Sequence, residues 1–241
     1  RDLVARGTDL EIRNKWGETA VIQAAGKGHL ETVKCLAEAG ADINTRDNDG
    51  WTAVMRAASE GHLETVKCLT EAGADINTRS NDGWTAVMRS AREGHMETVK
   101  YLTEAGADID TRDKWGQTAV MGAAQSKHYK VCQHLIHSGA ELSSAKEFLG
   151  GLLAWAAEEE DLTMCLQVVR AGANFNKEIS PGVTPLSLIL ASSDKEHQGY
   201  KMLSLYQAAR DGEHDKCEEI VKSGIDMASD VADCHSLLPL L

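Results

Sequence analysis

The sequence predicts an all-α solenoid of stacked helix-turn-helix units, with a projecting β-hairpin turn between one unit and the next. Three observations predict it. The residue pattern returns every 33 positions. Glycine and threonine keep fixed places within each period. Between them the apolar residues recur at helical spacing, in two runs too short to bury their own faces, so neighbouring units must stack.

The period is visible without alignment gaps. Residues 14–46 read NKWGETAVIQAAGKGHLETVKCLAEAGADINTR and residues 47–79 read DNDGWTAVMRAASEGHLETVKCLTEAGADINTR. Residues 80–112 read SNDGWTAVMRSAREGHMETVKYLTEAGADIDTR, and 113–145 continue as DKWGQTAVMGAAQSKHYKVCQHLIHSGAELSSA. Residues 146–178 hold the frame more loosely, with Ala156-Ala157 and Gly172-Ala173 at the required places.

Each element has a physical reason. Asp47-Asn48-Asp49-Gly50 suits a tight reversal, because Asn, Asp and Gly tolerate positive φ. Thr52 is expected to cap the first helix through its hydroxyl. That helix is predicted over Ala53–Ser59, where Ala57 and Ala58 permit close approach, and Gly61 ends it. A second helix is predicted over about Leu63–Glu71, with Leu63, Val66 and Leu69 on one face, and Gly73 stops it.

These residues resemble the ankyrin repeat. Its helix-opening Thr-Pro-Leu-His stands here as TAVI or TAVM, with a true Thr-Pro-Leu at Thr184-Pro185-Leu186. Its Gly-His between helices is Gly28-His29, Gly61-His62 and Gly94-His95, degraded to Lys127-His128. Its Gly-Ala after the second helix occurs five times, from Gly40-Ala41 to Gly172-Ala173. The resemblance implies L-shaped units in which a partner touches the hairpin tips and the first, inner helix.

Four regions are expected. Residues 1–13 look like the tail of a preceding repeat, and 14–145 hold four regular repeats. Residues 146–202 are divergent, with a polar interruption near 193–199, and 203–241 resume the pattern as a truncated sub-array. The interruption reads either as a long loop in one repeat or, the favoured reading, as a junction between sub-arrays. Both ends fall mid-unit, so an excerpt from a longer array is expected.

Composition narrows the function. The formal net charge of −12 disfavours nucleic acid and anionic membranes, which need clustered Lys and Arg. No apolar run nears the roughly 20 residues that span a bilayer, and the first residues do not resemble a signal peptide. The six cysteines form no CxxC pair and mostly fall on apolar helical positions, which suggests buried free thiols in cytosol or nucleus.

All five tryptophans fall at tip or inner-helix positions: Trp16 and Trp115 on the tips, Trp51 and Trp84 just after the turn glycine, and Trp155 on the fifth inner helix. Arg56 and Arg89 sit four residues beyond the helix-opening threonines. Stacked helices lie about 10 Å apart, so Trp51/Arg56 and Trp84/Arg89 are expected to form a two-rung ladder for an extended peptide. Asp49, Asp82, Glu60, Glu93 and Arg92 flank it, giving a mixed groove. The competing reading is that the arginines merely stack on the indoles within the chain.

Other residues look chemical without pointing to chemistry. His29, His62, His95 and His128 recur one unit apart, too distant to share a zinc ion. His134, His137 and Cys132 sketch a metal site without a fourth ligand, and Cys35 and Cys68 are too far apart for a disulfide. No phosphate loop, GxSxG elbow or HExxH occurs, so no catalytic residue, cofactor or metal is expected. Asn44 and Asn77 resemble the asparagines that a cytosolic hydroxylase modifies in other ankyrin repeats, and they also suit local hydrogen bonds that hold the hairpin.

The function expected is a protein-interaction module, not an enzyme, that binds a peptide or folded partner and is itself monomeric. Two alternatives remain. The array is a structural spacer or elastic scaffold segment of a larger protein, or it recruits substrates for a catalytic domain lying elsewhere. A basic tail gripped by Asp49, Asp82, Glu60 and Glu93 is a variant of the leading reading.

Overall fold

The computed structural model describes residues 8–142, 145–159 and 161–173, together with Asp215 and Glu219. The polar interruption, the choice between loop and junction, Thr184-Pro185-Leu186, Cys217, Cys234 and nearly all of 203–241 lie outside the described residues. Contacts divide the chain into two compact units, 1–141 and 142–241.

Among the described residues, the first unit holds four helix pairs: α1 Ala20–Gly26 with α2 Leu30–Glu38, α3 Ala53–Ser59 with α4 Leu63–Glu71, α5 Ala86–Glu93 with α6 Met96–Glu104, and α7 Ala119–Gln125 with α8 Tyr129–His137. The second holds α9 Leu149–Glu158, which packs on α10 Leu162–Arg170. No strand occurs among the described residues, so the projecting hairpins are tight turns rather than ladders. The helix limits predicted for the second repeat are the ones observed.

Within the first unit, α1, α3, α5 and α7 form an inner row, each against the next, while α2, α4, α6 and α8 form an outer row. The inner helices are almost wholly inside: Val54, Met55, Ala57 and Ala58 are each 1% exposed or less. Paired small residues, Ala-Ala or in the third repeat Ser90-Ala91, are what allow each inner helix two buried sides. Val66 and Leu69 seal α4 from below and are fully buried. Truncating a side chain such as Leu69 to Ala in such a core costs about 2–5 kcal/mol.

The expected threonine caps are not made as predicted. Thr19, Thr52, Thr85 and Thr118 take the extended backbone of an N-cap, but only Thr85 accepts a hydrogen bond, from the Met88 N–H at 3.5 Å. The Thr19 hydroxyl turns to Thr45 Oγ1 at 3.2 Å instead, and those of Thr52 and Thr118 are buried without a partner. These threonines are all 2% exposed or less, so packing between units sets where their hydroxyls point.

Glycine before the second helix has a steric cause. Gly61 lies at φ +73°, and a Cβ there would come within 2.5 Å of the His95 ring from the following repeat. His95 Nε2 in turn meets the Ser59 carbonyl at 3.0 Å. The recurring histidines therefore key one repeat onto the glycine corner of the one before. Lys127, where this glycine is lost, still holds φ +62° and is the one non-glycine positive φ among the described residues.

Candidate partner-binding site

Each hairpin turn is opened by a residue whose side chain holds the turn closed. Asp47 Oδ1 accepts from the backbone N–H of Asp49 at 2.9 Å and of Trp51 at 2.8 Å. Asn14 does the same for Trp16 and Glu18, and Asp113 for Trp115 and Gln117. Ser80 accepts only from Trp84, at 3.1 Å. All but Asn14 of these openers are buried.

The second carboxylate oxygen separates the repeats. Asp47 Oδ2 receives the Arg56 guanidinium at 2.6 Å, and Glu18 of the preceding repeat stands 3.6 Å from the same nitrogen. Asp113 is 6% exposed and its Oδ2 has no hydrogen-bond partner. The residue nine positions on, where Arg56 stands in the second repeat, is Gly122.

The expected ladder exists, but its gaps are filled from within. The Arg56 guanidinium lies 4.7 Å from the Trp51 ring centroid. Arg89 lies between the two indoles, 4.9 Å from Trp51 and 5.2 Å from Trp84, and Arg92 lies 5.3 Å from Trp84. Trp84 is only 8% exposed, and Trp51 is half-buried. The two faces expected to receive a peptide are thus occupied by the chain's own guanidiniums, the arrangement of the competing reading. Burial pushes the Arg89 guanidinium below the usual arginine value, with Arg92 and Arg56 pushing the same way and Glu93, 3.5 Å off, opposing them. It stays charged.

The tips behave in the opposite way. Trp16 is 57% and Trp115 66% exposed, at the same position of their turns. Lys15 Nζ sits 4.2 Å from the Trp16 ring centroid, and Lys114 Nζ bridges to Asp82 at 3.0 Å. Asp49, Asp82, Glu60 and Glu93 are exposed, and Arg92 is half-buried. Backbone hydrogen bonds tie consecutive tips together: Asn48 N–H to the Trp16 carbonyl at 3.0 Å, Asn81 to Asp49 at 2.9 Å, and Lys114 to Asp82 at 2.9 Å. In the second unit of the chain, Trp155 is half-buried on α9.

Asn44 and Asn77 do more than close their own turns. Asn44 Oδ1 accepts from the Asp75 N–H at 2.9 Å, and its amide donates to the Gly73 carbonyl at 3.3 Å. Asn77 Oδ1 accepts from Asp108 at 2.9 Å. These bonds join adjacent repeats, where the sequence suggested local ones. Arg46 and Arg79 make a parallel set, to the carbonyls of Arg79 at 2.9 Å and Arg112 at 2.6 Å.

The cysteines divide. Cys132 and Cys165 are buried, with thiols pushed up to about 12 by burial. Cys35 and Cys68 are only half-buried, a correction to the expectation of burial, and burial again raises the Cys68 thiol. Cys132 Sγ faces the Val120 carbonyl, whereas His134 Nε2 meets Thr103 Oγ1 at 2.8 Å, so these two do not converge. Among the described residues no group of three or more His, Cys, Asp or Glu could hold a metal ion. No helix among them is long and apolar enough to cross a membrane.

Sequence reasoning placed Glu18 just after the turn glycine and Asp47 in the turn, but it missed the charge roles of Glu18, Asp47 and Asp113. The signal was present as a turn-opening Asp with an arginine nine residues later, in one repeat and not another. A family model described as ankyrin repeats (3 copies) matches the chain twice, over residues 1–80 and 73–146. No curated protein matches the chain.

Proposed function

The chain belongs to the ankyrin-repeat family, and from that premise we propose that the hairpin tips and adjoining inner-helix edge of residues 14–141 hold a peptide or protein partner. Ankyrin repeats are generally protein–protein interaction modules and are typically not catalytic.

The observation that carries the reading is the pair of open indoles at Trp16 and Trp115, 57% and 66% exposed at equivalent turn positions. Large exposed aromatics on a rigid support are the groups that interfaces use as anchors. Their turns are rigid because tip is bonded to tip. Between them the half-buried Arg56, Trp51 and Arg89 form a pre-ordered floor, and exposed Asp49, Asp82, Glu60 and Glu93 supply a mixed, mainly acidic rim. Trp51 and Trp84 serve this surface by stiffening it. A reducing setting, cytosol or nucleus, suits the thiols. Asn44 and Asn77, both exposed, stay the proposed hydroxylation acceptors.

The test is affinity capture with the full chain as bait, beside two variants. Trp16→Ser/Trp115→Ser alters the tips; Lys34→Glu/Lys67→Glu/Lys100→Glu alters the outer helices. The tip variant is expected to lose bound protein by about 10-fold or more while the outer variant retains it. The reverse pattern would move the site to the outer face. Equal retention by both would favour a spacer.

A further inference from the structure

The geometry points to a cation slot in the fourth repeat: Asp113 Oδ2 and the buried position where Gly122 bears no side chain receive an arginine from a bound peptide, the guanidinium that the second repeat supplies from its own chain. This rests on the proposed interaction surface and names the chemistry of what it takes.

The second repeat is the template. There the same turn, held by the same two bonds to Oδ1, directs its other oxygen to a guanidinium 2.6 Å away. In the fourth repeat the two turn bonds are present at 2.8 Å each, so Oδ2 points along the same path. At the end of that path there is no cation. Oδ2 is buried without a partner on a residue that is 6% exposed. A buried carboxylate without a counter-charge costs several kcal/mol in general, which makes an incoming cation strongly favoured.

The surroundings suit arginine more than other cations. In the third repeat the Arg89 guanidinium lies 4.9 Å from Trp51, the indole of the repeat before it. Trp84 stands in that relation to position 122 and already carries Arg89 at 5.2 Å and Arg92 at 5.3 Å, so an incoming guanidinium has to displace Arg92 to reach it. Planar guanidinium can lie on an indole and still donate in its plane to a carboxylate; ammonium cannot do both as well. Space for a side chain at 122 exists, since a Cβ there would make only ordinary contact with Arg92, at 3.5 Å. The formal charge of −12 attracts a basic peptide from a distance.

The ¹⁵N-labelled full chain is titrated with a blocked pentapeptide, Gly-Ser-Arg-Ser-Gly, and with its citrulline counterpart, which keeps the shape and loses the charge. The arginine peptide is expected to shift the Trp115 and Gln117 amides saturably, with at least about 10-fold tighter binding than the citrulline peptide. Gly122→Arg fills the slot from the chain itself. It is expected to raise the midpoint of thermal unfolding and to abolish those shifts. Equal response to both peptides, shifts that survive Gly122→Arg, or a lowered unfolding midpoint in that variant each overturn the slot. If the slot fails while Trp16→Ser/Trp115→Ser still removes captured protein, the interaction surface stands without it.

Discussion

The second and fourth repeats share a turn and differ in how its charge is answered. In the second, Asp47 holds two backbone N–H groups with one oxygen and Arg56 with the other, and Arg56 lies on Trp51. In the fourth, Asp113 holds its two N–H groups, Gly122 replaces the arginine, and the tryptophan has moved to the tip, where it is 66% exposed. One repeat has closed its polar network on itself. The other leaves both a carboxylate oxygen and an indole without a partner among the described residues. On the proposed reading, a diverged copy of the same scaffold becomes a binding position by losing internal partners rather than by gaining new groups.

That contrast can be broken in several ways. The largest effect is expected from Arg56→Ala, which strands the Asp47 carboxylate: a loss of about 2 kcal/mol, less than for a fully buried pair because Arg56 is about a third exposed. Urea denaturation measures it. Replacement of each aspartate by asparagine keeps the turn acceptor and removes the charge. Asp47→Asn is expected to cost about 1 kcal/mol, whereas Asp113→Asn is expected to be neutral or stabilising by up to about 1 kcal/mol. Equal losses at both sites would erase the contrast between the two repeats.

A smaller effect concerns the same fourth repeat. Lys127 sits at φ +62° where earlier repeats have glycine, so Lys127→Gly is expected to stabilise by about 0.5–1 kcal/mol. Earlier repeats offer the mirror test, since Gly61→Lys would strike the His95 ring and destabilise. The smallest effect is in pH dependence. Burial, and then Lys100, lowers His134 below its ordinary value of 6.5, so the folded state favours neutral imidazole. The stability this gives is present above 6.5 and is lost as pH falls below it through the folded value. His134→Gln is expected to flatten the unfolding profile on that acidic side by a few tenths of a kcal/mol.

Helix limits were legible because their determinants are local. Glycine at positive φ stops a helix wherever the chain continues, so Ala53–Ser59 and Leu63–Glu71 could be read from spacing alone. The candidate site was legible only in outline. A spacing of 33 places Trp51, Trp84, Arg56 and Arg89 side by side, but it does not say that the Arg89 guanidinium lies between the indoles. That depends on χ angles chosen by contacts between repeats. The exposure of the tip tryptophans was not legible for the same reason: nothing local distinguishes an indole that folds inward from one that stays out. Thr52 misled differently, because cap statistics assume a solvated helix end and this one is buried.

The rungs made by Arg46, Arg79, Asn44 and Asn77 end on main-chain atoms of the neighbour. A joint of that kind is indifferent to which side chain the neighbour bears at the receiving residue. A whole copy within residues 14–112 can therefore be inserted, removed or exchanged, and the seam re-forms from parts that each of these three copies brings with it, an Asn or Asp followed by an Arg. Outward-facing residues are then free to diverge without loosening the array, whereas a deletion of any other length would misalign every joint downstream of it.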